Sequence, residues 1–214
     1  MKRIFEEIHR IGILPVIALD DAAQAVPLAR ALVAGGIPAA EITFRTAAGE
    51  EAIRRIAQEC PEVLVGAGTV LTTEQADRAV NAGARFIVSP GTNPRVVQHC
   101  REKGVQPVPG VVTPTEIETA LDLGLDVLKF FPAEPSGGLG TVKALAAPYT
   151  QVKFIPTGGI SAANVGEYLK HPKILACGGS WMVKKDLVNA GKFDVIQALA
   201  AEAAAIVKSV REDK

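Results

Sequence analysis

The chain has 214 residues, of which 48% are hydrophobic and 21% are charged, and its 23 basic side chains equal its 23 acidic ones in number. This composition is typical of a soluble globular protein and leaves ample apolar material for a core. The balanced charge, without a basic stripe along the chain, argues against nucleic acid as a partner but leaves a small anionic ligand open.

The first ten residues alternate charged and apolar side chains at helical spacing, which predicts a helix and lacks the apolar core of a signal peptide. No segment is long and apolar enough to cross a bilayer. The three cysteines are odd in number and far apart, which favours free, inert thiols in a reducing cytoplasm. The histidines are equally scattered, without the spacing of metal ligands, which argues against a zinc site. These residues are Cys60, Cys100, Cys177, His9, His99 and His171.

Strand and helix patterns then alternate eight times along the chain. The predicted strands are 13–19, 39–44, 63–65, 86–89, 106–108, 127–131, 152–156 and 174–177. Helices are predicted at 22–34, 47–59, 73–82, 94–103 and 114–123, and helical sequence follows the last two strands, ending with 195–207. Eight such units without a linker predict one domain, residues 1–214, folded as a closed (β/α)8 TIM barrel with an N-terminal helix.

The alternative fold is a doubly wound open sheet, for which a glycine-rich nucleotide loop would be evidence. Two glycine-rich segments occur, at 66–68 and 137–140, but neither completes GxGxxG or GxxxxGK[ST] in the right context. The glycines therefore do not favour the open sheet over the barrel.

The sixth predicted strand contains one lysine, Lys129, among apolar residues and is stopped by Pro132. Because an ammonium group is costly to desolvate, Lys129 must have a partner, be neutral part of the time, or reach solvent at one end of the strand. A neutral amine in an apolar pocket is a nucleophile. Lys153 also lies in an apolar strand, but at its amino end, where it can reach solvent, so we interpret Lys153 as structural.

In a (β/α)8 barrel the active site lies at the carboxyl ends of the strands, and polar residues accumulate there in this sequence. Side-chain alternation places Glu41 and Arg45 on one face of the second strand, and Lys129 and Phe131 on one face of the sixth. A solvated ion pair is the alternative for Glu41 and Arg45. It fits poorly, because Glu41 lies inside an apolar strand where its carboxylate would be buried.

Glycine-rich loops follow the seventh and eighth predicted strands, and each carries one hydroxyl residue. Backbone NH groups in such loops form the usual phosphate site of these barrels, although glycines can also mark plain turns. The two loops together favour a phosphorylated substrate. They contain Thr157, Gly158 and Gly159 after the seventh strand, and Gly178, Gly179 and Ser180 after the eighth.

A lysine nucleophile, a carboxylate, an arginine and a phosphate site together predict a reaction. Lys129 would attack a ketone to form an iminium, which acts as an electron sink for breaking the neighbouring C–C bond. Burial beside Phe131, rather than a neighbouring cation, is expected to keep the amine reactive.

Six motifs, in order over nearly the whole chain, resemble those of the bacterial 2-keto-3-deoxy-6-phosphogluconate (KDPG) aldolases, which often also act on 4-hydroxy-2-oxoglutarate (KHG). The motifs are 41–46 (EITFRT), 66–70 (GAGTV), 89–91 (SPG), 129–134 (KFFPAE), 156–160 (PTGGI) and 178–180 (GGS). The resemblance implies a class I aldolase without metal or cofactor. It would cleave a phosphorylated 2-keto acid to pyruvate and glyceraldehyde 3-phosphate, and it would be a homotrimer, as family members commonly are.

By the same resemblance, Lys129 is the Schiff-base lysine and Glu41 is the acid/base that acts through a bound water. The other implied roles divide between the two ends of the substrate. Arg45, Thr69, Pro90 and Phe131 would bind the pyruvate end, with Arg45 on the carboxylate, and Thr157, Gly158, Gly159, Gly179 and Ser180 would bind the phosphate end.

One segment departs from the family pattern. Some relatives carry a basic residue near the end of the first strand, where this chain has 18–21 (ALDD).

Two other functions compete with the aldolase. One is a phosphosugar isomerase or epimerase, which would not use Lys129, and the other is a non-catalytic phosphometabolite-binding barrel.

Overall fold

The computed structural model describes residues 2–212, in which the chain forms nine β-strands and ten α-helices. The strands are β1 (Ile13–Ile17), β2 (Ala39–Thr43), β3 (Leu64–Gly68), β4 (Phe86–Val88), β5 (Gln106–Val108), β6 (Gly110–Val111), β7 (Val127–Phe130), β8 (Lys153–Pro156) and β9 (Cys177–Gly179). The helices are α1 (Lys2–Ile11), α2 (Ala25–Ala34), α3 (Gly49–Glu59), α4 (Thr73–Ala82), α5 (Pro94–Glu102), α6 (Pro114–Asp122), α7 (Gly138–Ala146), α8 (Val165–Lys170), α9 (Lys185–Asn189) and α10 (Phe193–Glu212). Met1, in the predicted first helix, and residues 213–214 of the predicted domain lie outside the described residues.

The strands form an α/β fold in which every strand pair is parallel. One sheet has the order β5-β4-β3-β2-β1-β9 and a second has the order β6-β7-β8. Pro109 alone separates β5 from β6, and two isolated parallel bridges, Phe154 with Ile174 and Thr157 with Gly178, connect the β8 side to the β9 side. The two sheets are therefore joined on both sides, so their parallel strands curl instead of lying flat.

Three strands differ from the sequence-based prediction by more than two residues at one end. The third predicted strand, 63–65, extends to Gly68, so the glycine-rich segment 66–68 lies within β3. The fifth predicted strand continues past Pro109 into β6, which was missed because prolines at 107 and 109 lack the amide N–H that a strand ladder uses. The last strand lies at Cys177–Gly179 and not at 174–177. Its two glycines have low strand propensity, but β1 pairs there, with Leu14 opposite Gly178.

Side-chain caps explain where several helices begin. The hydroxyl of Thr72 accepts a hydrogen bond from the backbone N–H of Gln75 at the start of α4, and Asn93 caps α5 in the same manner. Thr113 and Glu116 form a reciprocal capping box at α6.

Among the helices of residues 2–212, none combines the length and the apolarity that a bilayer span requires.

The three cysteines are free and buried, as predicted. They belong to one apolar core that runs between the strands and the surrounding helices. Burial raises the pKa of the Cys100 thiol to about 11 and also raises the pKa values of Cys60 and Cys177. These thiols therefore stay protonated at neutral pH and act as small apolar side chains.

The first and last parts of the described chain lie against each other. Strand β1 pairs with β9, and α10 packs on α2. The guanidinium of Arg211 in α10 donates a hydrogen bond to the backbone carbonyl of Arg10 in α1 at 2.8 Å. The strands that begin and end the fold are thus neighbours.

Candidate active site

A buried lysine and a buried glutamate face each other across the fold. The Nζ atom of Lys129 donates a hydrogen bond to Oε1 of Glu41 at 3.3 Å, and the two residues are 6% and 1% exposed. Of the three possibilities for Lys129, the structure shows the first: the lysine has a charged partner. Lys153 is exposed at the amino end of β8, as predicted.

Strand register and a glycine bring this pair together. Glu41 lies in β2 opposite Gly66 of β3, and Lys129 lies in β7 opposite Gly110 of β6. A Cβ atom built on Gly68 would lie 2.3 Å from Oε1 of Glu41, which is closer than any real contact allows. The second glycine of the 66–68 segment therefore provides the space that the Glu41 carboxylate occupies.

Phe131 connects the buried pair to an open cavity. The ring centroid of Phe131 lies 5.2 Å from Nζ of Lys129, which agrees with the predicted placement of both side chains on one wall. Phe131 also lines a cavity of about 470 Å³ at the carboxyl ends of the strands. Phe131 is therefore shared between the cavity and the buried pair, whereas Lys129 and Glu41 do not themselves line the cavity.

Arg45 and Thr69 come together at the rim of the same cavity. The Nε atom of Arg45 donates a hydrogen bond to the hydroxyl of Thr69 at 3.4 Å, and Arg45, which is exposed, lines the cavity. Thr69 has a left-handed backbone, with φ at 58°. The alternative of a solvated ion pair between Glu41 and Arg45 is not found, because Glu41 is buried and contacts Lys129, as the apolar surroundings of Glu41 in the sequence indicated.

Pro90 lies against the strand that neighbours Lys129. A Cβ atom on Gly110 would be 2.0 Å from the carbonyl oxygen of Pro90, so the loop after β4 packs directly on β6. Ser89 is buried and donates to the carbonyl of Val70 at 2.7 Å, which fixes the start of that loop.

The predicted phosphate-end residues all line the cavity. Thr157 is buried, and its hydroxyl would collide with a Cβ atom on Gly178, at 2.2 Å, so the two glycine-rich loops pack closely. Gly158 and Gly159 have φ values of 100° and 81°, which glycine adopts without strain. The five predicted phosphate-end residues are Thr157, Gly158, Gly159, Gly179 and Ser180.

A carboxylate and a tyrosine support the loop after β8. The hydroxyl of Tyr168 donates a short hydrogen bond to Glu134, and Gly159 packs on the side chain of Glu134. Burial, and then the hydrogen bond to Glu134, raise the pKa of Tyr168. The tyrosine therefore remains a neutral donor that holds Glu134 beside the loop.

A charged segment that was not predicted from the sequence lies at the other side of the cavity. Lys184, Lys185 and Asp186 line it, just after the predicted phosphate-end residue Ser180. The ammonium of Lys185 forms an ion pair with Asp20 at 2.8 Å, across the ends of β9 and β1. Their position after a strand at the carboxyl end was the signal that could have identified them.

The structure thus brings the predicted residues into two connected groups. Lys129 contacts both Glu41 and Phe131, and Phe131 shares one cavity with Arg45 and the phosphate-end residues. Thr69 joins through Arg45, whereas Pro90 lies beside this group and does not line the cavity. The predicted catalytic residues and the predicted binding residues therefore lie in adjoining groups that Phe131 connects.

Comparison with known proteins gives a family and close relatives. The family model described as KDPG and KHG aldolase matches residues 4–199. A curated 2-dehydro-3-deoxy-phosphogluconate aldolase of Treponema pallidum (strain Nichols) is 55% identical over 207 residues, which are 97% of this chain and 99% of that protein.

Solved structures of the same family superpose along nearly the whole chain. The 2-keto-3-deoxy-6-phosphogluconate aldolase of Zymomonas mobilis ZM4, solved with 3-phosphoglycerate, has a TM-score of 0.88 and 42% identity, covering 96% of this chain and 97% of that one. The KDPG aldolase of Legionella pneumophila, solved with pyruvate as a covalent carbinolamine intermediate, has a TM-score of 0.88 and 37% identity, covering 92% and 95%.

Proposed function

The chain belongs to the KDPG and KHG aldolase family, and we propose that it is a class I aldolase of 2-keto-3-deoxy-6-phosphogluconate. Its products would be pyruvate and glyceraldehyde 3-phosphate, and it would also cleave 4-hydroxy-2-oxoglutarate to pyruvate and glyoxylate. The observation that carries this proposal is the buried pair of Lys129 and Glu41, 3.3 Å apart beside the cavity. A covalent pyruvate adduct in the Legionella pneumophila relative supports the same chemistry.

Nζ of Lys129 lies within hydrogen-bond distance of Glu41, so a proton can pass from the amine to the carboxylate, and this transfer decides whether Lys129 can react. When Glu41 takes the proton from Nζ, the neutral amine can attack the C2 ketone of the substrate and form a carbinolamine. Glu41 then returns the proton to the departing hydroxyl, and loss of water leaves an iminium on Lys129. Glu41 therefore serves as the acceptor of the proton that Lys129 must lose before it can attack.

The iminium accepts the electron pair released when the C3–C4 bond breaks. Glu41, through a bound water, takes the proton of the C4 hydroxyl, so the distal part leaves as an aldehyde. The remaining enamine on Lys129 is protonated at C3, and hydrolysis of the resulting iminium frees pyruvate. Each proton that Glu41 takes is returned within the cycle.

Two groups of residues outside the buried pair would bind the two ends of the substrate. Arg45, oriented by Thr69, would bind the C1 carboxylate, while Pro90 and Phe131 would form the wall of the pyruvate pocket. The phosphate would lie against Thr157, Gly158, Gly159, Gly179 and Ser180, whose backbone N–H groups suit an anion. The Zymomonas mobilis relative, solved with a phosphorylated three-carbon acid, supports a phosphate end of this size.

Closure of the barrel and the oligomeric state of the protein are proposed as well. We infer a closed (β/α)8 barrel, supported by the connection through Pro109 and by the two bridges between the β8 and β9 sides. We further propose a homotrimer, as the family resemblance implies, which analytical ultracentrifugation of the purified protein would test. The proposed location is the cytoplasm, because the scattered cysteines favour free thiols in a reducing compartment.

Trapping with pyruvate and borohydride tests the nucleophile. The expected result is one reduced pyruvyl group on Lys129, located by peptide mass spectrometry, and no label in Lys129→Met. Lys153→Met is the matched control, because Lys153 is exposed on the neighbouring strand and its loss should leave labelling intact. Folded wild-type protein without label on Lys129 would overturn the proposal, and retained turnover in Lys129→Met would favour the isomerase or epimerase.

Proton exchange at the pyruvate methyl group tests the acid/base. Glu41→Gln keeps the size of the side chain but cannot take a proton, so exchange should slow by about 100-fold. Equal exchange rates in Glu41→Gln and wild type, measured by NMR in D₂O, would remove Glu41 from the mechanism.

A further inference from the structure

The lining of the cavity carries more positive than negative side chains. Its lining includes three cations, Arg45, Lys184 and Lys185, and one carboxylate, Asp186. Arg45 lies at the pyruvate end, where it contacts Thr69. The two lysines therefore provide the positive charge on the side where a phosphate would lie.

Lys185 is already paired. Its ammonium lies 2.8 Å from Asp20, which also accepts a hydrogen bond from the side-chain amide of Asn189 at 3.0 Å. Both contacts, that of Lys185 first, hold the pKa of Asp20 below its ordinary value. The negative charge of Asp20, near the end of the first strand, is thus balanced by Lys185. The same contacts connect α9 to the segment after β1.

Lys184 is different, because within residues 2–212 its side chain has no ion pair and no hydrogen bond. It is exposed and lines the cavity four residues after Ser180. The backbone N–H of Val183 donates to the carbonyl of Ser180 at 3.1 Å, and this turn places Lys184 next to the predicted phosphate loop. A free cation beside an anion site is available to the ligand.

We propose that Lys184 binds the distal phosphate and gives this enzyme its preference for phosphorylated over unphosphorylated substrate. Asp20 and Lys185 act as positioning residues that hold the segment carrying Lys184 at the cavity. This inference rests on the proposed aldolase function.

The test compares kcat/KM for 2-keto-3-deoxy-6-phosphogluconate and for 4-hydroxy-2-oxoglutarate. Lys184→Gln should lower the ratio of the two values about 10-fold, chiefly through KM of the phosphorylated substrate, since one hydrogen bond to a charged group is lost. Lys184→Arg should restore most of the ratio. Asp20→Asn should lower it less than Lys184→Gln, because Lys184 itself remains.

Lys153→Gln is the matched control, since it removes an exposed lysine from the opposite end of the strands and should leave the ratio unchanged. An unchanged ratio in Lys184→Gln, or an equal loss on both substrates, would overturn the inference while leaving the aldolase function in place. Wild-type protein that cleaves neither substrate would instead contradict the proposed function.

Discussion

The buried pair of Lys129 and Glu41 makes the stability of this protein depend on both partners at once. At a separation of 3.3 Å, Coulomb's law gives roughly 5 kcal/mol of attraction at an effective dielectric constant of about 20. Removal of either partner leaves the other charge buried, which typically costs about 3 to 5 kcal/mol. We therefore expect Glu41→Gln and Lys129→Met each to destabilise the fold by about 3 kcal/mol.

The double variant should lose much less than the sum of the two single variants. With both charges removed, no buried charge remains unpaired, and we expect a coupling free energy of about 2 kcal/mol or more. Urea denaturation at pH 7 would measure it, followed by circular dichroism and by the fluorescence of the single tryptophan, Trp181. In thermal denaturation each single variant should melt about 6 to 12 °C below wild type.

Additivity of the two changes within about 0.5 kcal/mol would refute this reasoning. It would mean that Lys129 and Glu41 do not stabilise each other as opposite charges in the folded protein.

Three further changes follow from other contacts. Gly68→Ala places a Cβ atom 2.3 Å from the Glu41 carboxylate, so we expect kcat to fall at least about 10-fold in an aldolase assay while the far-UV spectrum is retained. Gly140→Ala is its control: Gly140 lies in α7 with open space around it, and we expect a gain of about 0.5 to 1 kcal/mol by urea denaturation with unchanged activity. Because the pKa of Cys100 is raised from 9.0 to about 11, the unfolded chain loses this proton first, so stability should fall as pH rises from 9 to 11. Cys100→Ala should flatten that decline, and an equally steep decline in Cys100→Ala would contradict the assignment.

Local patterns in the sequence predicted much of the fold and the residue types of the site. Strand periodicity correctly placed Lys129 and Phe131 on one wall, since alternation within a strand is a local property. The helix at 73–82 was predicted with its bounds, because Thr72 caps it and Gly83 ends it in a left-handed conformation. These features depend on neighbours in the sequence.

Contacts between distant segments could not be predicted in this way. Glu41 and Lys129 are 88 residues apart, and their meeting depends on the register of several strands and on the space above Gly68. The sequence suggested burial as the cause of reactivity, whereas the structure adds a carboxylate partner. The role of Asp20 was equally hidden, because Lys185 lies at the far end of the chain.

The pairing of the first strand with the last also sets the order in which the site can be assembled during synthesis. Strand β1 is synthesised early, but its second edge stays uncovered until residues 177–179 have been made. Gly179 and Ser180 of the cavity wall are made at the same late stage, and Lys184 follows them. A nascent chain or a fragment that stops before residue 177 therefore contains Lys129 and Glu41 but lacks Gly179, Ser180 and Lys184 of the cavity wall, so we expect substrate binding to begin only near the end of translation.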